Sequence, residues 1–466
     1  MEKLSILYVL NEAEELGGTS LSLENLMHSL GDLIEPILLM RKQGPVYDYF
    51  TAKGYECLVV PYRFNYIPGK GWFRNLTYRL RVWKNRTMRK KAAKQVVKML
   101  EGRKIDLVHS NSSVVDLGPL IAKKLHVPHI WHIREFIDLG LGIEPIGGYE
   151  KWKKQVLRSN AVITISRPLF EHLGFADPAL GTDSVSEHSG TIEKQQSGFC
   201  HSRVGKTDCY MLQDAVALTA DRMCNPKKKK YFVFLAGRIH PIKSPELAVE
   251  AFSRSNLAMQ GYKLKLTGHC SENMRWKLTS LAGKYGSPAG IEFHDFTDNV
   301  KELLSNASGF ILCSKHEGLG RVMIESMFYG CPVLAYASGP SKDIITHGKT
   351  GLLFKDAEEG AEMMKRLANE DCSEMIEAAG NLAVNEYSEE NYSGKIWKIY
   401  QDVMTRHEAA LAEKSNKKVR KAKKKCAHQQ EKAARKEEKA ARKAEKQKLK
   451  AAKKADLNEE NNQEKE

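Results

Sequence analysis

Ser314-Lys315-His316-Glu317-Gly318-Leu319-Gly320-Arg321-Val322-Met323-Ile324-Glu325-Ser326-Met327 follows a short apolar run, residues 309–313, and opens an amphipathic stretch. A strand, a glycine-bent loop and a helix in that order form part of a βαβ unit. Gly318 and Gly320 let the backbone turn tightly, so amides at the helix start can point at an anion, and the helix dipole adds to the attraction. Glu317 sits in the loop while Glu325 lies further along the helix, so the two carboxylates face different surroundings. Taken alone, the pattern fits equally a plain helix start carrying two surface glutamates.

Outward from this stretch, short apolar runs alternate with longer amphipathic ones, which signals parallel sheet built from βαβ units. In the first half the strand candidates are residues 5–10, 35–40, 57–61, 107–109, 129–132 and 161–165. In the second half they are 231–236, 263–267, 291–294, 309–313, 332–335 and 351–354. Two such series predict an α/β protein with two doubly wound, Rossmann-like domains, 1–170 and 230–385, whose ligands bind beyond the carboxyl ends of the strands. Between them, residues 171–229 lose the periodicity and mix Gly, Ser, Thr, Asp, His and Gln. A structureless connection of that length is uncommon in a compact domain, so the stretch reads as an anomalous linker or hinge. Residues 386–405 place Tyr392, Ile396, Trp397, Tyr400 and Val403 at helical spacing and predict one packed helix.

Net charge is +16, but residues 406–466 hold 21 Lys/Arg and 11 Asp/Glu, leaving +6 for the other 405 residues. This tail repeats Lys, Ala, Glu and Arg with opposite charges at i,i+3 and i,i+4 and almost no apolar face. It predicts a charged helical or disordered tail, with a polyanion-binding role as the alternative. The nine cysteines show no Cys-x-x-Cys pair, which suits reduced thiols better than a disulfide framework or a zinc site. The apolar run Leu4 to Leu10 turns acidic at Glu12, Glu14 and Glu15. It is too short to span a bilayer and lacks a basic start and a cleavage site, so the chain is expected in the cytoplasm.

Downstream of the opening stretch come Gly330-Cys331-Pro332-Val333-Leu334-Ala335, then Gly339-Pro340-Ser341-Lys342-Asp343, then Gly348-Lys349-Thr350-Gly351-Leu352-Leu353-Phe354. Together with Glu317, seven residues, Glu325, these motifs closely resemble the retaining glycosyltransferases of family 4, the "glycosyl transferases group 1". The resemblance covers nearly all of 1–405 apart from the linker. It implies the GT-B fold, with the two domains facing a central cleft, 1–170 binding the acceptor and 230–385 the nucleotide sugar.

By the same resemblance, Glu317 would contact the donor sugar's hydroxyls and Glu325 the ribose. Gly318, Leu319 and the amides around Gly320 and Arg321 would hold the diphosphate. Gly237-Arg238-Ile239-His240-Pro241-Ile242-Lys243 follows a strand and resembles the family's Gly-Arg…Lys segment. Arg238 and Lys243 would neutralise the departing diphosphate, on which negative charge builds as the glycosidic bond breaks. A surface pair near a helix start is the bland alternative. Gly17-Gly18-Thr19 follows the first strand and matches the family's glycine-rich turn against donor phosphate and acceptor, though any turn uses glycine. Trp131-His132-Ile133-Arg134-Glu135 resembles the family's domain-one histidine motif. His132 would face the reaction centre, with Arg134 and Glu135 orienting it or binding acceptor. The alternative is a structural histidine at a strand end. His109 is a weaker acceptor-side candidate.

No Asp-x-Asp pair exists in the chain, which argues for metal-independent transfer without a cofactor. No Gly-x-Gly-x-x-Gly follows a strand, which counts against a dinucleotide oxidoreductase. The expected substrates are a nucleotide-diphosphate hexose and a glycan or lipid-linked acceptor in cell-surface polysaccharide synthesis. Residues 72–104 begin Trp72-Phe73-Arg74 and mix arginines and lysines with apolar residues. With 406–455 they suggest attachment to an anionic membrane face, against the alternative of an ordinary solvated helix; nucleic acid is not expected as a partner. Two departures stand out. Residues 170–230 lack the family's Asn-Gly turn and the apolar strand before it, and Asp295 stands where relatives carry glycine. The rival reading is therefore a catalytically impaired GT-B scaffold that binds polyanions or membrane through its basic tail.

Overall fold

Parallel strands buried on both faces demand continuous apolar runs, and Ile6, Leu7, Tyr8 and Val9 of the first strand have no exposed surface at all. The computed structural model describes residues 3–11, 14, 16–66, 76–176, 199–216, 225, 227–297 and 299–463. Trp72, Phe73 and Arg74, Glu12 and Glu15, Cys224 and the linker residues 177–198 and 217–224 lie outside them. The chain divides into two units, Met1–Met404 and Thr405–Glu466.

The first unit holds two sheets. One is built from β1 (Leu4–Val9), β2 (Ile34–Met40), β3 (Glu56–Val59), β4 (Leu107–Ser110), β5 (His129–Ile133), β6 (Ala161–Thr164), β7 (Phe199–Val204) and β8 (Thr207–Leu212). The other holds β9 (Lys229–Arg238), β10 (Lys263–His269), β11 (Ile291–His294), β12 (Ala307–Leu312), β13 (Val333–Tyr336) and β14 (Leu352–Phe354). Their orders are 3-2-1-4-5-6-8-7 and 11-10-9-12-13-14. Every pairing is parallel except β7 with β8. Chain order reverses beside β1 in one sheet and beside β9 in the other, and such switch points are where doubly wound sheets hold ligands. This is the two-domain α/β, GT-B-like architecture expected above. All twelve predicted strands are present.

The stretch 171–229 corrects one expectation. The sequence predicts no strand before the second domain, yet β8 pairs with β6 from Ala161↔Asp208 to Thr164↔Met211, and β7 folds back on it. The sequence Thr207-Asp208-Cys209-Tyr210-Met211-Leu212 shows no clean apolar run, yet all six residues are buried. Its polar members are satisfied locally: Thr207 Oγ1 donates to Leu157 O, and the Asp208 carboxylate lies 3.2 Å from His201 Nε2.

The predicted packed helix is the start of a longer one, Glu389–Gln463. Tyr392, Ile396, Ile399, Tyr400 and Val403 are buried in the same apolar cluster as Ile6, Tyr8 and Leu38. The last helix thus returns to the first sheet. In the second unit every described side chain from Glu408 to Ala451 is exposed. Pairs such as Glu431–Arg435 and Glu438–Arg442 lie at i,i+4, which supports a helix lacking an apolar stripe. Among the described residues no helix is long and apolar enough to cross a membrane.

Candidate active site

Strand ends from both sheets meet around one cavity of about 490 Å³. Gly18 and Thr19 open the helix that follows β1, Arg134 and Glu135 come from the end of β5, and Asp214 from the end of β8. Arg238 ends β9, Lys243 closes the short turn after it, and Ser314 and residues 316–322 follow β12. The cavity therefore has one wall from each sheet.

Lys243 and Glu317 meet inside it. Lys243 Nζ donates to Glu317 Oε1 at 3.0 Å and Oε2 at 2.8 Å. Burial pushes the Glu317 carboxyl up, but the Lys243 ammonium outweighs it and holds the group below the usual glutamate range. A cation with one carboxylate partner can exchange that partner for a phosphate oxygen. Arg238 adds a second, exposed cation to the same wall.

The glycines explain how the walls approach. Gly320 has φ +82°, a left-handed conformation that starts the helix Arg321–Phe328. At Gly318 a Cβ would lie 2.5 Å from the Arg134 carbonyl oxygen, so only glycine lets this loop touch the end of β5. Arg321 then reaches across the cavity: its Nη1 donates to Ser22 Oγ at 2.9 Å. The motif implies a role only for the backbone of Arg321. Its side chain ties the β12 loop to the helix Gly18–Leu30. Gly17 caps that helix, while Glu325 lies beyond the cavity, its carboxylate 3.8 Å from Arg321 Nη2.

His132 does not line the cavity, contrary to the expectation that it faces the reaction centre. It is fully buried one layer below. Burial first, then the Arg134 guanidinium and His109, push its pKa well down, so the ring is neutral. Arg134 Nη2 lies 3.3 Å from His132 Nδ1. A guanidinium can only donate, which places the imidazole proton on Nε2. His109 is buried too, with Nε2 3.3 Å from His132 Nδ1 and Nδ1 2.9 Å from the Tyr400 hydroxyl. Tyr400 in turn lies 3.1 Å from the Tyr8 hydroxyl. These histidines connect the returning helix to the floor of the cleft.

Arg134 is the hub of that floor. It donates to Asn111 Oδ1 at 2.7 Å and forms a short, buried ion pair with Asp214. Glu135 lines the cavity with its carboxylate engaged by Ser112 Oγ, by the amide and hydroxyl of Ser113 and by the Arg134 amide. Thr19 offers its carbonyl to Asn111 Nδ2. Asp214 and Ser22 were missed by sequence reasoning. Asp214 sits in the stretch read as linker, and nothing in spacing links it to an arginine 80 positions earlier. Ser22 lies inside a helix and carries no local motif.

Residues 220–383 match the family described as glycosyl transferases group 1. An uncharacterized glycosyltransferase of Methanocaldococcus jannaschii is 22% identical over 83% of this chain and 95% of its own length. An alpha-1,4-N-acetyl-D-galactosaminyltransferase of Campylobacter jejuni is 29% identical over 27% of this chain, a stretch spanning 34% of that relative. The solved structure of Anabaena HepE in complex with UDP superposes with a TM-score of 0.63 at 14% identity, covering 86% of this chain and all of HepE. At that identity the likeness concerns fold. With its two facing sheets and the matched second domain, the chain has the GT-B fold of glycosyltransferases and is related to the glycosyl transferases group 1.

Proposed function

We propose that the chain transfers a hexose-type sugar from a nucleotide diphosphate to a glycan or lipid-linked acceptor, with retention and without a metal ion. The observation that carries this is the wall formed by Arg238, Lys243, Glu317 and the glycine-bent start of Arg321–Phe328, all lining one cavity. A diphosphate placed there meets two cations and the positive end of a helix, which stabilise the charge that develops on departure. Glu317, beside Lys243, is positioned for sugar hydroxyls. The same-fold protein HepE has been solved with UDP-glucose, which supports a nucleotide-sugar donor here. Retention and roles for Gly17, Gly18, Gly318, Leu319, Gly320 and Glu325 in donor binding rest on the motif resemblance over 314–354. Thr19, Arg134 and Glu135 form the acceptor-side wall; beneath it His132 holds Arg134 and His109 holds His132.

Donor hydrolysis and transfer, followed across a panel of nucleotide sugars with anomer analysis of the product, test this. Lys243→Ala should remove at least about 10²-fold in rate with folding intact, the scale of losing one preorganised charge-stabilising group. Unchanged rates in both Lys243→Ala and Glu317→Ala would overturn the site. The rival reading, a scaffold acting through its charged helix, draws on the exposure of every described side chain from Glu408 to Ala451. Nucleotide-diphosphate binding that survives deletion of 405–466 separates the two.

A further inference from the structure

The helix Leu76–Met99 contains nine lysines and arginines and no acidic residue. Eight of the nine are exposed; Arg89 is buried in a short ion pair with Asp116. At 3.6 residues per turn, Leu80, Trp83, Lys84, Lys91, Lys94 and Lys98 share one face. The opposite face carries Ala92, Ala93 and Val96, which pack into the core. Leu80 is 56% exposed and Trp83 68%. The outward face thus presents two apolar groups at one end of a cationic stripe.

Hydrogen bonds join this helix to the mouth of the cleft. Asn85 Nδ2 donates to Phe64 O at 2.9 Å. Asn65 O accepts from Ile146 N at 2.9 Å, and Tyr66 bridges Pro145. The segment leading to Pro145 carries the exposed Leu139 and Leu141, and Leu141 also lines the cavity. Apolar groups on the helix and on the cleft mouth therefore belong to one connected part of the first domain.

We propose that this surface docks on an anionic lipid bilayer. Leu80 and Trp83 enter the interface, the lysine stripe lies along the headgroups, and Leu139 and Leu141 bring the cleft mouth to the same level. A tryptophan with a polar edge and an apolar body suits that depth, and the absence of acidic residues suits a surface of negative charge. That the acceptor is drawn from the bilayer rests on the transfer reaction proposed above; the docking itself does not.

The full chain is tested by co-sedimentation with phosphatidylglycerol–phosphatidylcholine vesicles against phosphatidylcholine alone, and by tryptophan quenching with acyl-brominated lipid. Binding should need phosphatidylglycerol, and Trp83→Phe should remove most of the quenching. Neutralising Lys84, Lys91 and Lys94 to Gln should weaken binding by about fivefold per residue at low salt. Leu80→Ser with Trp83→Ala should weaken it further, with UDP binding by calorimetry unchanged. Quenching that persists in Trp83→Phe, or partition unaffected by either set of substitutions, would overturn the proposal, since the charged helix beyond Thr405 would then suffice. Salt-sensitive binding of single-stranded RNA without vesicle binding would also overturn it. Vesicle binding by a protein that binds no nucleotide diphosphate would leave docking standing and remove the transfer reaction.

Discussion

Glu317→Gln is expected to tighten nucleotide-diphosphate binding while suppressing transfer. Glu317 holds Lys243 through both carboxylate oxygens, at 3.0 and 2.8 Å, with side-chain exposures of 37% for Lys243 and 17% for Glu317. Fully exposed pairs contribute up to about 1 kcal/mol and charge-assisted hydrogen bonds in shielded sites about 1.5–3 kcal/mol. Partial exposure of the lysine places this pair near the bottom of that span, at about 1 kcal/mol. A diphosphate that recruits Lys243 must displace Glu317, and the neutral isostere removes both the competitor and its repulsion of the phosphates. UDP affinity should rise about fivefold. Under the role proposed for Glu317, transfer should fall by about 10²-fold. Calorimetry with UDP and initial rates with a competent nucleotide sugar give the two numbers. The pH dependence adds a sign. Because Lys243 holds the Glu317 carboxyl below the usual glutamate value, the pair persists above that value and is lost as pH falls through the depressed folded value. The affinity gap between the two proteins should therefore stay constant from neutral pH down to the ordinary glutamate range, and narrow only below it. UDP binding that is unchanged or weaker in Glu317→Gln would refute the competition.

Gly318→Ala should hold the loop away from the end of β5, because its Cβ would meet the Arg134 carbonyl at 2.5 Å. The expected loss is about 1–3 kcal/mol in chemical denaturation, with far-UV circular dichroism retained. Arg321→Ala removes the bond to Ser22 Oγ. It should lower kcat/KM by up to about tenfold, with partial rescue by Arg321→Lys and a smaller effect in Ser22→Ala. Asp214→Ala leaves the buried Arg134 guanidinium without its carboxylate and should destabilise the protein by about 3–5 kcal/mol in urea denaturation. Acid should destabilise as well. Burial lowers His129 to about 3, and His109 and His132 are also pushed down. Their contribution is whole above the unfolded value near 6.5 and falls as pH drops below it, by about 1.4 kcal/mol per pH unit for each histidine. Denaturation at pH 7 and pH 5 measures the slope, and His129→Asn should reduce it.

The periodic core was legible before any coordinates. All twelve predicted strands appear, because strands buried on both faces must be continuously apolar and the helices between them amphipathic. The glycine loop was legible for a related reason: a left-handed backbone at Gly320 leaves a chemical mark at the position itself. Strand β8 left none. Its polar Thr207 and Asp208 are buried because Thr207 donates to Leu157 O, 50 positions earlier, and Asp208 meets His201 on the paired strand β7, partners that no apolar run announces.

Composition and order thus determined on their own that the chain is α/β with two doubly wound halves, that Arg238, Lys243 and Glu317 lie at or just after the carboxyl ends of strands, and that the tail cannot form a core. These properties rest on short-range rules of burial, backbone freedom and charge density. Tertiary structure alone decided that Lys243 rests on Glu317 and that Arg321 spans the cleft to Ser22. It likewise placed His132 beneath the surface, tied to Arg134, rather than facing the reaction centre. Each depends on which distant segments the fold presses together, and side-chain partners across such a contact obey no sequence spacing.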